Sequence, residues 1–234
     1  MKLNDLFDCV YYINLSKRID RKNKFWQLNK NILDINRTIR ISAFDGSNQK
    51  SNTDFASIIN ARTAISLSYV KPFLHALKNN FNEILIFEDD AEPFFADASL
   101  VNKYLVNANE LNYEIMFLGG TIQSPLGRAS QNLFNLKGNI LATQAVCFNN
   151  RNSIFNQFNE FPTDFKSMKK FLLSNNGCCM DTIIGEKLTQ QRASFITDKL
   201  LFGQYESFSD IEAQITSYNE DMINRFSKFA LNEI

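Results

Sequence analysis

The sequence predicts an α/β fold, a mostly parallel central sheet flanked by helices, organised as a single domain over residues 1–234. Three observations carry that prediction. Continuous apolar runs at 9–15, 83–87 and 113–118 read as strands buried on both faces, as parallel strands are. Segments with helical spacing of apolar residues lie between them, the alternation expected of helices packed on a sheet. The chain of 234 residues shows no internal repeat and no dividing linker, and α/β units of this length occur as one domain.

In order along the chain, Cys9-Val10-Tyr11-Tyr12-Ile13-Asn14-Leu15 is the first strand. Residues 16–31 turn polar and basic, with Phe25, Trp26 and Leu28 as a partial apolar face, and predict a helix. Residues 38–43 alternate with period two and end at the turn signal Asp45-Gly46. Residues 46–57 are small and polar and read as a mobile loop. From 58 to 80, Ile58, Ile65, Leu67, Val70, Phe73, Leu74 and Leu77 recur at helical spacing, and Pro72 predicts a kink or two shorter helices.

The clearest strand, 83–87, runs directly into Glu88-Asp89-Asp90. A helix around 97–110 and a strand over 113–118 follow, the latter closed by Gly119-Gly120. Residues 121–139 read as a long irregular loop or hairpin. A strand over 140–148, a short helix over 151–160 and a helix over 180–188 come next. Ile211, Ile215, Tyr218, Met222 and Phe226 then mark an amphipathic C-terminal helix.

Composition narrows the function. Apolar residues make up 44% and charged residues 21%, which excludes a disordered or fibrous chain. Lys+Arg and Asp+Glu both number 25, so no positive surplus exists for gripping a nucleic acid. No stretch reaches the ~18 apolar residues of a membrane span. Lys2, Asp5 and Asp8 stand where a signal peptide would be apolar, which points to a cytoplasmic protein. The C-terminal helix leaves room for peripheral contact with the inner face of a membrane. Four cysteines without metal spacing and a single histidine, His75, argue against zinc sites and histidine-based triads. His75 and Trp26 are expected at the core or its edge, and Tyr218 in a packing stripe.

The acids at 88–90 are the chief chemical signal. They follow a buried strand, and in open α/β sheets ligands bind at that carboxyl edge. Two carboxylates ~4 Å apart repel by roughly 4 kcal/mol at an effective dielectric of 20. A divalent cation such as Mg²⁺ or Mn²⁺ relieves that, taking one or two carboxylates together with substrate phosphates and water. The same three residues also suit a solvated acidic turn closed by Pro93. Arg18 and Arg21, three apart after the first strand, share a helix face and suit phosphate oxygens, or else a solvated basic face. Asp181 opens a late helix, where the macrodipole alone favours an acid.

Together the motifs resemble glycosyltransferase family 25, the lipopolysaccharide-biosynthesis type. Val10-Tyr11-Tyr12-Ile13-Asn14-Leu15 with Arg18 and Asp20-Arg21 is similar to its N-terminal signature, and Ala43-Phe44-Asp45-Gly46 to its Ala-x-Asp-Gly turn. Ile84 to Asp90 resembles its acidic metal motif, and Ile115-Met116-Phe117-Leu118-Gly119 its next strand. Asp181 falls where the family has an acid opening a late helix. Phe202-Gly203-Gln204 and Phe208-Ser209-Asp210-Ile211 resemble its C-terminal segment. One departure is visible: the family has Ser-His before the acidic strand, whereas this chain has Ser68-Tyr69.

The resemblance implies a GT-A, Rossmann-like fold and a UDP-hexose donor such as UDP-galactose, used with Mn²⁺ or a similar ion. It implies transfer, with inversion, to a glycan or glycolipid acceptor such as lipooligosaccharide or capsule. Asp90 would hold the cation, with Glu88 or Asp89 assisting. Ile13, Asn14 and Leu15 would line the donor pocket, with Asp45 near the base or ribose, Arg18 or Arg21 balancing the diphosphate, and Ser68 completing the set. Asp181 would be the catalytic base. The departure at Tyr69 leaves an alternative, a catalytically inactive module of the same fold that binds nucleotide-sugar or glycan.

Overall fold

The computed structural model describes residues 1–49, 53–124, 126–138, 140–141, 143–209, 214–216 and 218–230. The first half is a β-α-β-α-β run: β1 (Cys9–Leu15), α1 (Ile19–Asn29), β2 (Thr38–Ala43), α2 (Asp54–Lys78) and β3 (Glu83–Glu88). Next come β4 (Ala91–Pro93), α3 (Ala98–Glu110), β5 (Ile115–Phe117), β6 (Thr121–Ile122), β7 (Arg128–Ser130), β8 (Leu133–Asn135), β9 (Ile140–Leu141) and β10 (Ala145–Asn149). Then α4 (Ile154–Asn159), α5 (Phe165–Ser174) and α6 (Met180–Thr182) lead through a π-helical stretch, Ile183–Leu188, into α7 (Thr189–Gln191). The chain continues through β11 (Ser194–Thr197), β12 (Phe202–Gln204), β13 (Ser207–Ser209), β14 (Gln214–Thr216) and α8 (Asn219–Ala230).

The main sheet has the order β2-β1-β3-β10-β5-β11-β8-β7. β1 pairs parallel with both β2 and β3, and β5 parallel with β11. β10 is inserted antiparallel between β3 and β5, and β8 lies antiparallel to β11 and β7. Six of the eight strands therefore point one way, a mixed but mostly parallel sheet. Residues along each strand alternate between two cores. Tyr11, Ile13, Ile84, Ile86, Phe117 and Phe148 pack with Leu67, Val70 and Phe73 of α2 and with α4 and α5. Val10, Tyr12, Leu85, Phe87 and Met116 pack on the other face, with Phe25 of α1 and Val101 and Tyr104 of α3. Period-two alternation thus buries both faces, the property that made the strand runs look continuously apolar.

The helix boundaries follow local chemistry. Thr53, Asp97 and Asp164 accept from the backbone N–H groups of Ala56, Leu100 and Ser167 and cap α2, α3 and α5. The same helices end on asparagines in the left-handed region, Asn80, Asn112 and Asn176 (φ 56°, 55° and 60°). Asparagine tolerates that conformation through local polar contacts, so an asparagine-rich chain with only 8 glycines can still stop its helices.

Several expectations need correction. α2 runs as one helix from Asp54 through Pro72 to Lys78, so of the two expected alternatives the pair of shorter helices does not occur. Leu67, Tyr69, Val70, Phe73 and Ala76 are buried on both sides of the proline, and that packing outweighs one missing backbone hydrogen bond. The expected loop over 46–57 instead contains a 3₁₀ turn at Gly46–Asn48 and the first turn of α2. Residues 121–139 take the hairpin alternative of their expectation: they contribute β6 and the β7–β8 hairpin, which extends the main sheet. The run over 140–148 is two strands, β9 and β10. The C-terminal helix starts at Asn219, and Ile215 belongs to β14. Asp210 and Ile211, quoted above for the family resemblance and the helix stripe, lie outside the described residues. Met222 and Phe226 of α8 are buried in the core, so its apolar stripe faces the protein. Among the described residues no helix is long and apolar enough to cross a membrane. His75 and Trp26 pack edge-on against Tyr11 and Tyr12, as expected.

Candidate active site

β1 feeds α1 and β2 on one side and β3 takes the opposite side, so the connections diverge between β1 and β3. Such a switch point opens a crevice at the carboxyl ends of the strands. A cavity of about 690 Å³ lies there. Of the residues singled out from sequence, Ile13, Leu15, Arg21, Asp45, Ser68, Glu88, Asp89, Asp90 and Asp181 all line it. Asn14 and Arg18 do not. Asn14 is buried at the end of β1, where its Nδ2 donates to Asp89 Oδ2 at 2.6 Å and its Oδ1 accepts from Arg40 Nε at 3.0 Å. It orients the acids from beneath.

The acidic turn is buried. Asp89 and Asp90 are 6% and 3% exposed, which removes the reading of a solvated turn. Arg21 from α1 reaches both, with Nη1 2.9 Å from Asp89 Oδ1 and 3.2 Å from Asp90 Oδ2. Arg18 does not share this face: it precedes the first turn of α1 and pairs with Asp20 at 2.8 Å, holding that carboxyl down at about 2. The helical spacing of Arg18 and Arg21 predicts a shared face only if both lie inside the helix, and Arg18 does not.

Glu88 is anchored differently. Its Oε1 lies 2.6 Å from Tyr69 Oη and 2.7 Å from Thr143 Oγ1, and the two hydroxyls also touch each other, so their two protons serve three contacts. Tyr69, the residue that departs from the family pattern, therefore fixes the first acid of the cluster. One guanidinium cannot balance three carboxyls taken out of water. Burial raises Glu88, Asp89 and Asp90 above the ordinary carboxylate range. Asp90 is pushed up to about 8 by burial and by the charge of Glu88, against the pull of Arg21.

β12 completes the site. It pairs antiparallel with β4, so that Gln204 lies opposite Ala91. Gln204 Nε2 donates to Asp90 Oδ2 at 3.1 Å, and Gln144 Nε2 donates to Gln204 Oε1 at 3.3 Å. Tyr205 holds the turn itself, its N–H bonding Asp90 O and its hydroxyl bonding Asp89 O. At this site Asp90 Oδ1 and Gln144 Oε1 are buried without a hydrogen-bond partner among the described residues. A buried carboxylate oxygen left unpaired is costly and calls for an explanation. Hard oxygen donors of this kind fit Mg²⁺ or Mn²⁺, which need few protein ligands when phosphate and water supply the rest. No group of three or more His, Cys, Asp or Glu among the described residues forms a cage by itself.

The remaining wall is mixed. Asp45 accepts from Ser47 and pairs with Lys17 at 3.0 Å; against burial, these partners hold its carboxyl below the usual range. Ser68 is committed to structure: its hydroxyl donates to Ala64 O and accepts from Phe44 N–H. Asp181 begins the helical run after Cys179, and its Oδ1 accepts from Thr182 N–H and the Cys179 thiol. Its charge reaches Glu88, which places both acids in one electrostatic field. Tyr218, Asp221 and Arg225 bring α8 to the cavity, so this helix buries one face and lends the other to the site.

Gln144, Thr143, Tyr205 and Arg40 carry no local sequence signal as site residues, since strand pairing alone brings them together. Gln204 stands in a segment noted for its resemblance, and its hydrogen bond to Asp90 is the role that segment concealed.

No family model and no curated sequence matches the chain. Among solved structures it is similar to the crystal structure of A197 from STIV, at 8% identity and TM-score 0.39 over 89% of this chain and 92% of that one. It is similar to mannose-1-phosphate geranyltransferase from Thermus thermophilus, at 10% identity and TM-score 0.44 over 81% and 72% of the two chains. It is also similar to apo UDP-glucose pyrophosphorylase, at 10% identity and TM-score 0.36 over 96% and 81%. Likenesses this distant carry no argument about activity or substrate.

Proposed function

We propose that the chain is a metal-dependent glycosyltransferase of the family 25 type. It would move a hexose, galactose first among the candidates, from a UDP-sugar to a hydroxyl of a glycan or glycolipid acceptor, with inversion. Lipooligosaccharide or capsule is the acceptor class in view. The observation that carries this reading is Asp90: a buried carboxylate with one unpartnered oxygen, at the switch point of an α/β sheet, opening on a cavity of about 690 Å³.

Asp90, with Gln144 and the second oxygen of Glu88, would hold Mn²⁺ or Mg²⁺. The cation supplies Lewis-acid stabilisation of the charge that develops on a diphosphate leaving group. Arg21 adds a fixed positive charge beside it. Asn14, Tyr69, Thr143 and Gln204 keep the acids from splaying. The acceptor oxygen bonds to the anomeric carbon as the bond to the diphosphate breaks, and the hydroxyl proton passes to a carboxylate on the opposite side. Asp181, which lines the same cavity and has Oδ2 unengaged among the described residues, would take it.

Titration calorimetry of UDP into the protein, with Mn²⁺ and with EDTA, tests the reading, alongside Asp90→Asn. Metal-dependent binding that disappears in the variant supports it. Equal UDP binding under all three conditions removes the metal assignment, and absence of binding removes the donor site. One observation favours a second reading, binding without turnover: Tyr69 occupies the place of the family's histidine and ties Glu88 down. UDP that binds with Mn²⁺ but is never released from UDP-galactose in the presence of glycan acceptors would select it.

A further inference from the structure

Phe44, at the carboxyl end of β2, is out of place for a large apolar side chain. It is 39% exposed, yet it lines the cavity beside Asp45. Its position is fixed. The Phe44 N–H donates to Ser68 Oγ at 2.9 Å, and Ser68 is itself bonded to Ala64 O inside α2 at 2.6 Å. One face of the ring is also taken: Lys71 Nζ lies 4.1 Å from the ring centroid and is held there by a 2.6 Å hydrogen bond to Ser42 O. A cation seated on one face of an aromatic ring anchors it by attraction to the π system.

A ring held by its backbone and clamped from behind, but left partly bare at a cavity wall, is a preformed stacking surface. Its neighbours along the wall define what would lie on it. Lys17, paired with Asp45, and Arg21, at the acid cluster, supply cationic groups for phosphate oxygens. A ligand spanning from Phe44 to Arg21 would carry a planar apolar group at one end and anionic oxygens at the other.

We infer that Phe44 is the shelf on which the base of a nucleoside diphosphate stacks, and that it sets a large share of the affinity of the proposed donor site. This deepens the transferase reading and rests on it. Stacking tolerates any base, because every base has a π face. The shelf therefore predicts affinity for the base as such, and leaves discrimination among bases to the polar groups around Asp45.

The test is titration calorimetry of two ligands, UDP and inorganic diphosphate, in the presence of Mg²⁺, into wild type, Phe44→Ala and Phe44→Tyr. Phe44 is partly exposed, so both variants should fold; thermal melts check this. Expected is a loss of UDP affinity of about tenfold or more in Phe44→Ala, the size of one lost base–aromatic stack. Diphosphate should bind as in wild type, and Phe44→Tyr should restore UDP. UDP affinity within about twofold of wild type in Phe44→Ala, far short of one lost stack, overturns the shelf while leaving the nucleotide site standing. Equal losses for UDP and diphosphate overturn it as well, because the ring would then act on the phosphate end or the fold. If wild type binds diphosphate no more weakly than UDP, no base is held and the shelf falls. If wild type binds neither, the donor-site reading fails and takes the shelf with it.

Discussion

Asp90→Asn should make the ligand-free protein more stable while removing the proposed metal and nucleotide binding. In the fold the Asp90 carboxyl titrates at about 8, against 3.8 for an ordinary aspartate. The cause is burial, with Glu88 adding repulsion and one guanidinium shared between two aspartates giving incomplete relief. Folding at pH 7 therefore requires Asp90 to take up a proton that the unfolded chain has lost. At about 1.4 kcal/mol per pH unit between 3.8 and 7, that costs about 4 kcal/mol. Asparagine is neutral at every pH and avoids the cost. The sign follows from a raised folded-state pKa: the native carboxyl carries no penalty below pH 3.8, and the penalty grows as pH rises toward 8. For a chain of this size, about 4 kcal/mol corresponds to a melting temperature higher by about 10 °C. Urea melts of both proteins in EDTA between about pH 4 and pH 8 measure the gap. It should be near zero at the acid end and widen through neutrality. A variant no more stable than wild type at neutral pH, or a gap independent of pH, would refute the account of the acidic cluster.

Three further outcomes follow from contacts at and around the cavity. Arg21→Met removes the guanidinium that lies 2.9 Å from Asp89 and 3.2 Å from Asp90, and should cost about 3–5 kcal/mol in urea melts at neutral pH. Gly185→Ala drives a Cβ into Ile140 O, a backbone atom that cannot swing away, and should lower stability by about 1–3 kcal/mol or disrupt the π-helical stretch. Circular dichroism melts unchanged from wild type would contradict that contact. The Cys179 thiol is pushed up to about 12 by burial and by the neighbouring Asp181 carboxylate. Its thiolate fraction at about pH 8 should be roughly a thousandfold below that of a free cysteine. Iodoacetamide labelling followed by mass spectrometry should show it slow, and faster in Asp181→Asn.

The parts of the molecule that were readable in the sequence are those whose structure is decided locally. β1 and β3 announce themselves because both faces of the sheet are covered there, and β2, a half-exposed edge strand, by its alternation; their carboxyl ends deliver Asn14, Asp45 and Glu88-Asp89-Asp90 to one edge whatever the rest of the chain does. The unreadable parts are decided at a distance. β7 and β8 are three residues each and exist because β11 offers them an edge to pair with. α5 did leave a signal, an Asp164 cap followed by Met168 and Leu172 one turn apart, but its short, lysine-rich run between irregular segments masked it.

The site divides in the same way. Its acids were legible from spacing after a strand, whereas the groups that tune them were not. Gln144 reaches Gln204, and through it Asp90, only because β10 is inserted antiparallel beside β3; Gln204 does so because β12 pairs with β4, which itself follows the acids in the chain. Arg18 and Arg21 looked equivalent on a helical wheel, yet the helix begins between them: Arg21 bonds both aspartates directly, whereas Arg18 pairs with Asp20 and reaches Asp89 through its charge. Tyr69 is the sharpest case. From the sequence it marks a departure from the family's histidine; in the fold its hydroxyl, with that of Thr143, fixes Glu88. A residue that breaks a resemblance in the sequence can thus still hold an acid of the cluster, here through its hydroxyl. Tyr69→Phe separates the two roles. It keeps the packed ring but removes the donor, leaving Thr143 as the one hydroxyl on Glu88 Oε1, and should cost about 1–3 kcal/mol of stability. If Tyr69 acts only through Glu88, UDP affinity with Mn²⁺ should fall in this variant, while a variant that binds UDP unchanged would make the tyrosine a packing residue alone.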